Sequence, residues 1–351
     1  MRKTFLLLAC LFLWASCNTS TKSKQESKKD TLSKASAFPE VQDIGKFKQT
    51  EFLPTLEHTL PADKNSIYAA SLLYAWEELQ KTYKPPFQIN PDFKDLLLIN
   101  ASQSFKGVLK KGEYTTSTKI ENGILTMHAF FEKSLVFPYT LSTFTDELTF
   151  DKNKVKSFGL RKNSHPIFSN MFSLWYYDND KNFILKLAPK DEEHEILLCM
   201  FGENLPTFAS YLQKIAQWQT LAEQMKQDKN KAWRFYYDTD EDIVMIPKFQ
   251  FNIEKYYDVS KMGFTDFKGQ KINFKTVSQR TAFLLNESGA KASSDSKIEM
   301  PKEEKTKDGF IEMPHPKNLV FDKPFLLLLK RKDNPNPYFA MWVSNSELME
   351  K

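Results

Sequence analysis

Two strand-like runs near the C-terminus, 272–285 and 325–330, are separated by a stretch, 288–317, with little to bury. The runs are rich in β-branched, aromatic and leucine side chains at lengths that suit strands. The stretch between them carries Lys, Glu, Ser and three prolines, with few large apolar residues. A connection of thirty residues with so few large apolar side chains is rare inside a compact protein and is usually functional or disordered. The fold must therefore let two core strands be joined by a long uncovered loop.

The rest of the chain predicts a sheet-rich partner for those strands. Residues 183–187, 195–201 and 243–253 read as strands, and 96–150 reads as a series of strands through its alternation and β-branched content. Residues 66–79 read as a helix with Asn65 or Ser66 as its cap. Residues 205–227 read as a second helix with Phe208, Leu212, Ile215, Trp218, Ala222 and Met225 along one face. Strands and helices in this order predict an α+β fold with a mainly β C-terminal third.

The first seventeen residues form a positive start followed by an apolar run, 5–16, too short to span a bilayer but suited to a signal peptide. The run ends Trp14-Ala15-Ser16-Cys17, small residues before a cysteine, which resembles a lipobox with Cys17 as the lipidated residue. Residues 18–40 are mostly Ser, Thr, Lys and Gln, a composition that reads as a flexible tether before a folded body at 41–351. The expectation is an exported monomer, anchored by lipid in a bacterial cell envelope on the periplasmic or outer-membrane face.

Composition excludes several function classes. Glycine is scarce at 10 of 351 residues, and neither GxGxxG nor GxxxxGK[ST] occurs. A net charge of +5 without a basic stripe argues against nucleic-acid binding. His58, His128, His165, His194 and His315 show no HExxH spacing, and no GxSxG is present, so the chain does not read as an enzyme and no metal or other cofactor is expected. The acidic run around His194 reads as a solvated turn, and Cys199, within an apolar run, reads as an inert core residue.

Five segments in order then share one resemblance. They are Ile243-Val244-Met245-Ile246-Pro247-Lys248-Phe249, Lys261-Met262-Gly263-Phe264-Thr265-Asp266-Phe267, Ala282-Phe283-Leu284-Leu285-Asn286-Glu287-Ser288-Gly289, Phe321-Asp322-Lys323-Pro324-Phe325, and Tyr338-Phe339-Ala340-Met341-Trp342-Val343. Together they resemble the C-terminal third of the serpins, protease inhibitors that trap their targets. Upstream the likeness thins, and the stretch between Leu79 and His128 is shorter than in serpins. The resemblance implies a serpin-like α+β fold with a large central sheet and some helices missing. It also implies an inhibitor of serine or cysteine proteases whose exposed loop, 290–317, is cleaved and inserts as a new strand.

Insertion requires small side chains at alternate positions, because alternate residues of a strand face the core. Gly289 supplies a hinge after Glu287, and Ala290, Ala292, Ser294 and Ser296 fall on one face, all small. Lys291, Ser293, Asp295 and Lys297 fall on the other. Counting forward from Glu287 favours a scissile bond at Lys302 or Lys305, hence a trypsin-like target. Counting back from Phe325 points to Met313.

Three positions depart from the family. The stretch Leu60-Pro61-Ala62-Asp63-Lys64-Asn65-Ser66 replaces a Ser-Pro-x-Ser cluster, Gln279 stands where serpins carry a histidine, and Leu135 stands where they carry a tryptophan. The second reading is a non-inhibitory lipoprotein that binds a protein, peptide or glycan. It would use aromatic clusters such as Trp175-Tyr176-Tyr177 and Trp233-Arg234-Phe235-Tyr236-Tyr237.

Overall fold

In the computed structural model the chain divides into Met1–Ser33 and Lys34–Lys351. The residues described are 38–133, 135–259, 261–290 and 315–351. Strands and helices are numbered in chain order.

Three sheets carry the second unit. The first contains β1 (Gln42–Asp43), β14 (Phe249–Tyr256), β16 (Lys271–Leu285), β15 (Gly263–Thr265) and β4 (Gln88–Ile89), with β6 (Ile124–Glu132) and β5 (Tyr114–Glu121) on the other side of β16. The second runs β10 (Phe172–Asn179), β11 (Asn182–Leu187), β12 (His194–Met200), β19 (Phe325–Arg331), β20 (Pro337–Val343), β3 (Asn65–Ala69) and β2 (Thr50–Phe52). The third runs β18 (Asn318–Val320), β13 (Ile243–Pro247), β9 (Asn153–Leu160) and β8 (Ser142–Phe150). A short pair, β7 (Leu135–Val136) with β17 (Gly289–Ala290), stands apart. The α-helices are α1 (Ser71–Thr82), α2 (Lys94–Ala101) and α3 (Phe208–Lys226). The architecture is α+β, dominated by mixed sheets.

Burial follows strand chemistry. Every residue of β12, β19 and β20 is buried, so the middle of the second sheet is covered on both faces. In β6, Leu125, Met127, Ala129 and Phe131 are buried while Thr126, His128 and Phe130 are half-buried, the alternation of a one-sided strand. The buried side meets α1: Leu72, Ala75, Trp76 and Leu79 pack with Leu125, Met127, Phe264 and Phe274. Trp76 stacks on Phe274 with ring centroids 6.3 Å apart.

Local structure departs from the linear pattern in three places. The run 66–79 divides: its first residues lie in β3 and the helix begins only at Ser71. Asn65 caps nothing, because its side-chain oxygen accepts from the backbone amides of Ser344 and Asn345. The expectation of strands throughout 96–150 fails at α2, whose Leu-Leu-Leu-Ile run is too short for periodicity to separate strand from helix. The run 243–253 is two strands, and the chain passes from the third sheet to the first at Lys248. Helix α3 starts at Phe208, where Thr207 and Ser210 form a reciprocal cap, and buries Phe208, Tyr211, Ile215, Trp218 and Ala222.

Candidate functional site

The site is built around two parallel strands and the loop between β16 and β18. β6 and β16 are hydrogen-bonded neighbours from Ile124–Asn273 to Glu132–Ala282, with an irregularity between Phe274 and Thr276. Both strands run toward the start of the loop. A strand that descended between them would run antiparallel to each.

The N-terminal end of the loop already turns in that direction. After β16, Gly289 donates to the Asn286 carbonyl at 3.0 Å and Asn286 donates to the Gly289 carbonyl at 3.2 Å, closing a tight turn. Gly289 then pairs with Val136, and Ala290 with Leu135, antiparallel. Gly289 has φ +92, and a Cβ there would lie 2.5 Å from the Leu135 oxygen and 2.6 Å from the Phe137 nitrogen. Only glycine fits such an approach. The residue read as a loose hinge is therefore held: the amides of Phe137 and Leu141 donate to the Ser288 and Glu287 carbonyls at 3.0 and 2.9 Å. The Glu287 carboxylate meets Lys248 Nζ at 2.5 Å, and Lys248 is buried. Ala292, Ser294, Ser296, Lys302, Lys305 and Met313 lie outside the described residues, as does Cys17.

The C-terminal end of the loop is held differently. Lys317 is 3% exposed and Asp242 1%. Their side chains meet at 3.0 Å, and the Lys317 amide donates to Asp242 Oδ1 at 2.8 Å. Lys317 Nζ also donates to the Tyr236 carbonyl at 3.0 Å and lies 5.3 Å from the Trp233 ring centroid and 5.8 Å from that of Tyr177. Asn318 is tied to Asp180 through its amide at 3.1 Å. Tyr177 and Trp233, one from each aromatic cluster read as a ligand platform, thus flank the end of the loop, whereas Tyr176 stacks on Trp218 and Trp175 faces Lys186 and Lys330. Lys317 carries no local pattern that marks it, since only the fold brings Asp242 beneath it.

The positions that depart from serpins have identifiable partners. Gln279 on β16 donates to the carbonyl of Ala69, the last residue of β3, at 3.0 Å, and accepts from the Tyr257 hydroxyl at 2.7 Å. Burial pushes the Tyr257 hydroxyl far above its ordinary range. One step along, His128 of β6 shares a hydrogen bond with Ser278 of β16 at 2.7 Å, and Ser278 donates to Glu254 at 3.3 Å. This polar rung links the two parallel strands, and sequence reasoning singled out none of its members for that role. Leu135 is buried within β7, as the register partner of Ala290.

Other reactive groups are accounted for by burial. Cys199 is a buried free thiol, pushed strongly up by that burial, and so stays protonated and unreactive. Thr55, His58 and Asp95 line up, with Thr55 Oγ1 2.9 Å from His58 Nδ1 and His58 Nε2 3.3 Å from Asp95. Thr55 is fully buried, so no substrate reaches its hydroxyl, and the trio staples a loop. The turn around His194 is solvated at Glu192 and Glu193, as read from the sequence, but the imidazole itself is 1% exposed. Asp191, Glu193 and His194 come close enough to chelate an ion. Two cations, Lys133 and Arg331, already approach the same imidazole nitrogen at 3.0 and 3.3 Å, so the cluster does not suit a metal.

No family model matches the chain, and no curated protein matches it. Solved structures that are similar to part of it are serpins. Thyroxine-binding globulin in complex with thyroxine has 13% identity over 63% of this chain and 56% of that one, with a TM-score of 0.35. A serpin from the trematode Schistosoma haematobium has 12% identity over 63% and 56%, with a TM-score of 0.37. Serpin-12 of Manduca sexta has 9% identity over 65% and 57%, with a TM-score of 0.37. The chain spans a little over half the length of each.

Proposed function

We propose that this chain is a serpin-like inhibitor of serine or cysteine proteases that acts by loop cleavage and strand insertion. One observation carries the reading. Two parallel strands lie side by side, and the loop that follows one of them starts with residues 289–290 already paired antiparallel to the extension of the other. Extending that pairing would place the loop between β6 and β16, antiparallel to both, and satisfy the backbone groups of an inserted strand. The small residues Ala292, Ser294 and Ser296 then supply the inward face. The target is a protease of trypsin-like specificity acting at Lys302 or Lys305, and the inhibitor is a monomer tethered to the cell envelope by lipid on Cys17.

Limited trypsin digestion followed by thermal melting tests this. A single cut between 290 and 313 with a large rise in melting temperature supports insertion. A cut without that rise sinks the inhibitory mechanism.

A second reading is favoured by a cavity of about 670 Å³ between α2, α3 and the second sheet, lined by Leu98, Trp175, Ile215, Leu328 and Lys330. A non-inhibitory ligand-binding protein would use such a space and would gain no heat stability from cleavage.

A further inference from the structure

Where β6 ends, charged side chains from several elements converge on one buried histidine. His194 opens β12. Around it stand Glu113 at the start of β5, Lys133 just beyond β6, Asp191 and Glu193 in its own turn, Arg331 at the end of β19 and Tyr338 on β20. Lys133 meets Glu113 at 2.5 Å and Asp191 at 3.5 Å. Arg331 meets Glu193 at 2.7 Å, Asp333 at 3.4 Å and Glu113 at 3.8 Å, and Lys110 closes the ring on Glu193 at 2.7 Å. Lys110 and Arg331 together hold the Glu193 carboxyl down at about 2.

The contacts fix the tautomer. Lys133 Nζ and Arg331 Nη1 can only donate, so His194 Nε2 accepts from them at 3.0 and 3.3 Å and carries no proton. Nδ1 therefore carries the proton and faces the Tyr338 hydroxyl at 3.1 Å. A proton on Nε2 would set a third positive charge against Lys133 and Arg331. Its new partners would be Glu113 at 3.3 Å and Asp191 at 3.5 Å, both of which Lys133 now occupies.

This cluster touches the start of the loop. Lys133 lies two residues before β7, and the Lys190 amide of the His194 turn donates to the Val136 carbonyl at 2.8 Å. Val136 is the register partner of Gly289.

We propose that the His194 cluster is a proton-operated lock on the junction between β6 and β7. With His194 neutral the junction is closed; a proton taken up from solvent on Nε2 displaces Lys133 and loosens Leu135–Val136 and the loop residues paired to them. Its use as regulation rests on the proposed loop insertion, whereas the lock itself does not.

The sign follows from burial. Desolvation, and then the charge of Lys133, hold His194 below its ordinary value of 6.5, against the opposing pull of Asp191 and Glu113. A histidine depressed in the folded state stabilises the fold above its unfolded value, and that contribution is lost as pH falls below about 6.5.

Hydrogen exchange of the intact protein at about pH 7.5 and about pH 5.5, corrected for intrinsic rates, reads the lock directly. Protection of the Phe137, Leu141 and Lys190 amides falls about tenfold in acid, a change equivalent to one pKa unit, while amides of β19 keep theirs. His194→Gln can still accept from Lys133 but does not titrate, and it abolishes the fall. An equal fall in His194→Gln, or none in the parent protein, overturns the proposal. So does loss of the effect in His128→Gln, which would assign it to the rung between β6 and β16. Should His194→Gln fail to melt cooperatively, Lys133→Met serves instead: the acid effect shrinks and His194, followed by NMR, titrates higher. An unchanged titration there refutes the lock. No protease enters these measurements, so they stand apart from the test of inhibition.

Discussion

The two ends of the loop are held by different physics. At the C-terminal end, Lys317 and Asp242 form an ion pair shielded from water and flanked by Trp233 and Tyr177. At the N-terminal end, the hold is backbone pairing of two residues and an ion pair whose carboxylate, on Glu287, is 27% exposed. A buried pair is costly to break, because removing one partner strands a charge away from water. Backbone pairs at the margin of a sheet open locally at little cost. In the proposed mechanism one end of the loop is a fixed anchor, and the other lengthens its pairing as β6 and β16 part. Strand insertion requires that asymmetry.

The asymmetry can be broken most forcefully at the anchor. Lys317→Met leaves Asp242 buried without its cation and lowers stability by about 3–5 kcal/mol in urea titrations. Adding Asp242→Asn recovers part of the loss. The next largest effect is at the other end, where Gly289→Ala places a methyl group against the Leu135 oxygen in a backbone conformation that alanine avoids. The local cost is about 1–3 kcal/mol. It appears as faster exchange of the Phe137 amide, with a smaller change in the global melt than Lys317→Met produces. Glu287→Gln weakens the ion pair to Lys248 by about 1 kcal/mol, allowing for its exposure, and speeds cleavage beyond Ala290 by added protease. The smallest change sharpens the comparison: His128→Ala removes the rung to Ser278 at about 0.5–1.5 kcal/mol. If the parallel strands part during insertion, it accelerates insertion after cleavage more than it lowers the melting temperature. Equal effects at the two ends of the loop, in any of these measurements, would remove the basis for a fixed anchor and an extending end.

Much of the frame was legible in the residues. Continuous apolar runs such as Phe325-Leu326-Leu327-Leu328-Leu329 have one economical use, a strand covered on both faces. Where runs were short or spanned a change of element, as at 66–79 and 94–101, composition could not locate the break, because side chains far away in sequence decide it. Asn65 is an example: it looks like a helix cap until Ser344 and Asn345 claim its oxygen.

By itself, the sequence determined most of the sheet-forming runs and the long helix α3. These are properties of local pattern, set by periodicity and backbone sterics. Only the tertiary structure decided which groups meet. It placed Asp242 under Lys317, His128 beside Ser278, and Lys133 and Arg331 against a histidine that looks solvated on the page. Such pairings depend on strand order and on the exclusion of water, and neither is written in the spacing of residues along the chain.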